Sequence, residues 1–227
     1  MRRFYGLLFF LLIPALLPAT ADAEDPNPAT LHSSRGAWPL YRQWTPAETR
    51  HFAQWISTIY DRKVHGTKEQ RLAKLEYVLT DPEMNLLLDP EFLGEPSNPQ
   101  IDLPTIRALH HIVDCHKLLM SLGSYYACRR GLPFMYSTVR SSDGTDIRTA
   151  PSTLPAGTAS SFEYSSAHQF FVDLVTGTCT GNLRVEPFAR NSEWSDTCPV
   201  AITPQYLIPG CSFYLDGHVL VLAEIEE

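Results

Sequence analysis

The chain has 227 residues, a formal charge of −7 and a hydrophobic fraction of 44%. This hydrophobic content is enough for a buried core, and it excludes a chain that is disordered over most of its length. Acidic residues outnumber basic ones and no basic run occurs. Nucleic acids and anionic membrane surfaces are therefore excluded as expected partners.

The first 23 residues have the organisation of a cleavable signal peptide. Arg2 and Arg3 precede an apolar run over 7–17, and Ala-Asp-Ala at 21–23 supplies the small-x-small cleavage site. Two prolines interrupt the apolar region, which is shorter than the roughly 20 residues needed to span a bilayer. We expect cleavage after Ala23 and a periplasmic or secreted product that does not stay inserted in the membrane.

Residues 24–44 are rich in Pro, Ser and Asn and predict an extended lead-in. The first helix is predicted to begin after Thr45, because Thr45, Pro46 and Glu48 form an N-cap, a first-turn proline and a capping box. Helical spacing then predicts an inward stripe of Phe52, Trp55, Ile56 and Ile59.

A second capping pattern begins at Thr67 and predicts a helix that ends at Asp81. Four prolines between 82 and 99 predict an irregular packed connector, so that 45–100 forms a helical extension.

Residues 103–113 and 115–130 predict further helix, either continuous or broken near Asp114, with Gly131 as the C-cap. Beyond Gly131 the pattern changes to short runs of β-branched and aromatic residues, and one short helix is predicted around 168–175. The strands are predicted at 134–140, 183–188, 199–203, 211–215 and 218–225. Helices followed by strands predict an α+β fold.

The candidate catalytic pair is Cys115 and His218. Cys115 lies in the string Val-Asp-Cys-His at 113–116, and His218 lies in Asp-Gly-His-Val at 216–219. If Asp114 caps the helix that follows, Cys115 lies in its first turn, where unpaired N–H groups and the helix dipole stabilise a thiolate nucleophile. His218 opens an apolar strand after a tight turn, which fixes the imidazole at the strand end. A cysteine at a helix start that faces a histidine on a later strand is the arrangement of papain-like cysteine hydrolases.

The order of these strings resembles the NlpC/P60 branch of the papain-like peptidases and amidases. The resemblance covers roughly 101–227 and rests on Asp114-Cys115, Tyr125-Tyr126-Ala127, Gly131-Leu132-Pro133-Phe134, Ile208-Pro209-Gly210 and Gly217-His218-Val219. It implies a papain-like core over 101–227, with Cys115 as nucleophile, His218 as general base and the Cys115 backbone N–H in the oxyanion hole. It also implies hydrolysis of an amide or peptide bond, with cell-wall peptide as the substrate class and no cofactor.

Members of this branch place a third polar residue, which orients the histidine, on the strand after the one that carries it. Only nine residues follow His218. Three explanations stay open: the orienting residue comes from elsewhere in the chain, the protein is a truncated or degenerate member of the branch, or the fold is different. The alternative function is therefore a non-catalytic exported binding or structural module on the same scaffold.

The competing interpretation of the pair is a buried core thiol or half-disulfide at Cys115 and a hydrogen-bonded turn residue at His218. The chain has five cysteines, all after the leader, so two disulfides would leave one thiol over. His111 and Cys115 share a helical spacing that invites a metal, but no second cluster completes a site and no metal is predicted. Asp114 and Trp194, the latter in a polar loop, are the expected substrate contacts.

Overall fold

The computed structural model describes residues 8–11, 35–59, 75–110, 115–147, 150, 152–184, 198–199, 202–203, 206–215 and 218–223. Its helices are α1 (Pro46–Ile59), α2 (75–80), α3 (Pro90–Leu93), α4 (Leu103–His110), α5 (Cys115–Arg130) and α6 (Ala167–Gly177). Its strands are β1 (Leu8–Leu11), β2 (Met135–Ser141), β3 (Thr153–Ser160), β4 (Cys198–Pro199), β5 (Cys211–Leu215) and β6 (His218–Val221). The mixture of helices and small antiparallel sheets confirms the α+β class.

The strands form two sheets. β2 and β3 make a two-stranded antiparallel sheet, and the other four lie in the order β4-β1-β5-β6. β5 and β6 form a hairpin in which Leu215 pairs with His218, Tyr214 with Val219 and Phe213 with Leu220. This hairpin carries the predicted histidine.

β1 belongs to the leader segment that the sequence predicts to be removed. It lies between β4 and β5, where Leu11 pairs with both Cys198 and Cys211. Cleavage after Ala23 would take β1 out of the sheet and leave β5 paired with β6. The β5–β6 pairing does not pass through β1, so the hairpin is the part of this sheet that processing leaves intact.

α5 is the central helix, since every residue from 119 to 130 is buried. A helix that is buried on all sides lies inside the core and does not cover its surface. One hydrophobic cluster joins α5 to α1, α4 and α6 and reaches Val219 of β6. The sheet that carries β6 is thus attached to the same core as α5.

The predicted start and inward stripe of α1 are confirmed. The helix begins at Pro46, the backbone N–H of Glu48 donates to Thr45 Oγ1 at 3.1 Å, and Phe52, Trp55, Ile56 and Ile59 are all buried. The Glu48 side chain does not complete the predicted capping box. It turns into the core and binds α5 instead.

A buried polar network connects α1 to the end of α5. Glu48 Oε1 accepts hydrogen bonds at 2.6 Å from both Arg130 Nε and the Tyr126 hydroxyl, and Glu48 Oε2 accepts one from Arg130 Nη2 at 2.8 Å. Burial of the Glu48 carboxyl opposes its ionisation, but the hydrogen bonds from Arg130 and Tyr126 and the charge of Arg130 outweigh burial and lower its pKa. Glu48 is therefore a paired carboxylate in the core.

Gly131 ends α5 as predicted, with a φ of 66°. Its carbonyl accepts the N–H groups of Tyr41, at 2.8 Å, and Arg42, at 3.1 Å. A Cβ at this position would lie 2.5 Å from Tyr41 Cδ2, so glycine is required both for the φ and for the close approach. The described end of the lead-in, from residue 35, therefore runs against the C-terminal end of α5.

After Gly131 the structure corrects a predicted strand, adds a strand that was not predicted and confirms the predicted helix. The predicted strand at 183–188 is wrong at its start, because Thr180–Arg184 form a 3₁₀ turn. In this turn the Asn182 side-chain amide donates to the Ser137 carbonyl at 2.6 Å. Residues 185–188 lie outside the described residues. β3 was not expected, since it contains Pro155 and Gly157, but it is tolerated in a two-stranded sheet. The predicted helix around 168–175 is confirmed as α6.

Candidate functional site

Cys115 is the first residue of α5, and its side chain is half-buried. The backbone N–H of Val219 in β6 donates to Cys115 Sγ at 3.3 Å. The thiol therefore lies between the N-terminus of a long helix and a backbone N–H donor. Asp114, the predicted N-cap, lies outside the described residues.

The hairpin pairing explains why Val219 donates to this sulfur. The N–H of Leu222 points towards β5, where it donates to the Cys211 carbonyl at 2.7 Å. Because N–H groups alternate in direction along an antiparallel strand, the N–H of Val219 points away from β5. Cys115 Sγ thus lies at the edge of β6 that faces away from β5, while the Val219 side chain is buried in the core.

His218 is the first residue of β6, and its side chain is exposed. The Val219 nitrogen is bonded to the carbonyl carbon of His218, so the His218 Cα lies at most about 6 Å from Cys115 Sγ. This distance is within the length of a histidine side chain and one hydrogen bond. Cys115 and Val219 are 104 positions apart in sequence, so the fold itself brings Cys115 next to the strand residue that follows His218.

No family model, no curated protein and no solved structure matches this chain. The similarity to the NlpC/P60 branch therefore stays a prediction from the sequence. Within the described residues, no helix is long and apolar enough to cross a membrane.

The other described cysteines lie in environments that differ from that of Cys115. Cys128, Cys179 and Cys211 are buried free thiols. Burial raises the pKa of Cys128 to about 12 and also raises the pKa of Cys211, which makes both poor nucleophiles. Cys115 is also a free thiol, so no disulfide joins the described cysteines, and the side chain of Cys198 lies outside the described residues.

His116 follows Cys115 in sequence but faces the core. Its side chain is fully buried, and burial, with a smaller contribution from the charge of Lys117, lowers its pKa to about 4. A buried neutral imidazole is a core side chain and is not accessible to a substrate. The histidine next to Val219, the backbone donor to the thiol, is the exposed His218.

Trp194, predicted as a substrate contact, and His111 lie outside the part of the chain that the structure describes. The same is true of three carboxylates near His218 in sequence, Asp216, Glu224 and Glu226, to which the sequence assigns no role. The residue that orients His218 is therefore not assigned. In the ranges that are described, no group of three or more His, Cys, Asp or Glu side chains is placed to hold a metal ion.

Sequence reasoning missed the role of Val219. Its neighbour His218 was identified from the residue type, but a backbone donor leaves no trace in residue types. The available signal is the alternation of β6, which buries Val219 and exposes His218 and Leu220. That alternation identifies the outward face of the hairpin but not the partner of its edge.

Proposed function

We propose that this protein is an exported cysteine hydrolase with a papain-like core that cleaves an amide or peptide bond, with cell-wall peptide as the substrate class. The observation that carries the proposal is the hydrogen bond from Val219 to Cys115 Sγ, which holds the thiol beside His218 at the start of α5. A cysteine at the start of a buried helix, against an antiparallel sheet that carries a histidine, supports the papain-like part of the proposal. The substrate class rests on the sequence resemblance.

The proposed reaction has two halves. His218 accepts the proton of the Cys115 thiol, and the sulfur attacks the carbonyl carbon of the scissile amide. The first N–H groups of α5 stabilise the oxyanion, and His218 then gives its proton to the leaving amine. Water, deprotonated by His218, hydrolyses the resulting thioester and restores the thiol.

The hydrogen bond from Val219 has a defined part in this scheme. A backbone N–H that donates to sulfur stabilises the thiolate more than the thiol, because a charged acceptor makes the stronger bond. It also fixes the sulfur beside the strand that carries the base, at the residue that follows His218. Both contributions act before any substrate is bound.

Amide hydrolysis of a cell-wall peptide fraction tests the proposal. The purified protein is incubated with soluble peptide fragments of bacterial cell wall, and newly released primary amines are measured with an amine-reactive fluorophore. We expect amine release by the wild type, none by Cys115→Ala and unchanged release by Cys179→Ala, a matched thiol away from β6. Equal release by the wild type and Cys115→Ala, or none by either, would contradict the proposal and favour a non-catalytic module.

A further inference from the structure

An apolar strip begins next to His218 and runs along the outward face of the β5–β6 hairpin. Leu220 is two residues from His218 on the same strand, so that the two side chains share a face. With 58% of its surface exposed, Leu220 is the most exposed large hydrophobic side chain in the described part of the chain. Its cross-strand partner is Phe213, which is half-buried.

The strip continues beyond β6. Leu222 is half-buried and still pairs with β5, because its N–H donates to the Cys211 carbonyl. The apolar strip is defined by Leu220, Phe213 and Leu222, which lie on the same face of the hairpin. Single exposed apolar residues are ordinary, but a row of them beside a reactive group marks a binding surface.

The direction of a bound substrate follows from the position of the base. The leaving amine must lie near His218, since this residue protonates it. The sulfur is hydrogen-bonded to Val219 and therefore lies next to that residue along β6. His218 precedes Val219 on the strand, and Leu220 follows it. The acyl part of the substrate therefore extends from the sulfur towards Leu220 and Leu222.

We propose that the apolar strip is the acyl-side binding site of the hydrolase and that it takes an extended peptide with apolar side chains. This inference rests on the proposed function and adds a substrate preference to it. Side chains on one face of an extended peptide repeat every 6.8 Å or so, the same spacing that separates Leu220 from Leu222. An extended peptide thus matches the strip along its length, with Leu220 as a specificity-determining residue.

Two isosteric irreversible probes test the preference. N-acetyl-Leu-Leu and N-acetyl-Asn-Asn chloromethyl ketones have the same charge and nearly the same shape and differ in polarity. In each, the Cys115 sulfur forms a bond to the methylene carbon, chloride leaves with the electron pair of the broken C–Cl bond, and His218 takes the thiol proton. The rate of modification is followed by intact mass, and peptide mapping assigns the site.

We expect the leucine probe to modify Cys115 about tenfold faster than the asparagine probe. Leu220→Asn should remove this preference, while Met135→Gln, an isosteric change at a 48% exposed strand position in the other sheet, should keep it. Equal rates for the two probes in the wild type, or a preference that survives in Leu220→Asn, would overturn the assignment.

Iodoacetamide separates this inference from the proposed function. It carries no side chain, so its reaction with Cys115 reports the reactive thiol alone. Fast labelling by iodoacetamide without discrimination between the two probes would overturn the apolar preference and leave the hydrolase intact. Slow labelling of Cys115 by all three reagents would overturn both.

Discussion

Replacement of Glu48 by glutamine should strongly destabilise the protein, because it leaves a buried positive charge without its partner. Glu48 and Arg130 are both buried, and the carboxylate receives two hydrogen bonds from the guanidinium and one from Tyr126. Glutamine keeps the size of the side chain and removes the negative charge. The change therefore tests the ion pair and not the packing.

The size of the effect follows from burial. Removing one partner of a buried, hydrogen-bonded ion pair costs about 3–5 kcal/mol, because the other charge stays desolvated. The free energy of unfolding of a domain of this size is about 5–15 kcal/mol, so Glu48→Gln should fold but with much of its stability lost. The low pKa of Glu48 has a related consequence. The contribution of the Glu48 carboxylate to the free energy of unfolding is present above the unfolded-state pKa of about 4.3, and it is lost as the pH falls through the lower folded-state pKa.

Urea unfolding, followed by tryptophan fluorescence at pH 7, measures the effect. The control is Glu76→Gln, which breaks the ion pair with Arg107 at 2.9 Å on the surface and should change the urea midpoint very little. A midpoint for Glu48→Gln as close to the wild type as that of Glu76→Gln would refute the account of the core.

Three further predictions concern the fold and the export of the chain. His116 should lower the free energy of unfolding by about 1.4 kcal/mol for each unit by which the pH falls from 6.5 towards 4, because the unfolded chain protonates it and the folded chain does not. Burial also lowers the pKa of His51, so the slope of the whole protein should be at least this large, and a flat profile in urea titrations would contradict the buried neutral imidazole. Gly131→Ala should lower the free energy of unfolding by more than about 2 kcal/mol, because the residue has a positive φ and its Cβ would clash with Tyr41. The control is Gly144→Ala, where φ is 78° and nothing lies within 4 Å of the added Cβ. It should show only the smaller cost of the backbone conformation in the same unfolding assay. Expression with the native leader in a secreting bacterium should yield a product that begins at Glu24 by intact mass. A product that retains residues 8–11 would contradict cleavage after Ala23.

Local signals in the sequence predicted the helices well. The Thr45–Pro46 start of α1, its apolar stripe and the Gly131 C-cap depend on residues within one or two turns, and the structure has all three. The predicted direction of the Glu48 side chain was wrong, because the hydrogen bonds to Tyr126 and Arg130 in α5 outweigh the local capping bond.

The strands were less predictable, since their stability depends on pairing between distant segments. β3 contains Pro155 and Gly157, which disfavour a strand locally, and it forms because β2 supplies an antiparallel partner. The candidate site shows the same division. Residue types identified Cys115 and His218, but the contact that joins their elements is made by the backbone of Val219, and only the folded chain reveals it.

The most direct test of the central claim, that Cys115 is a nucleophile activated beside His218, is the rate of its alkylation. The folded, reduced protein is treated with iodoacetamide at pH 7, and peptide mapping gives a rate for each cysteine, with the buried Cys128 as internal control. The account predicts that Cys115 reacts first and faster than a free thiol, and that His218→Gln slows it while the fold is unchanged by circular dichroism. Labelling of Cys115 no faster than an ordinary thiol, its presence in a disulfide, or a rate unaffected by His218→Gln would contradict the account.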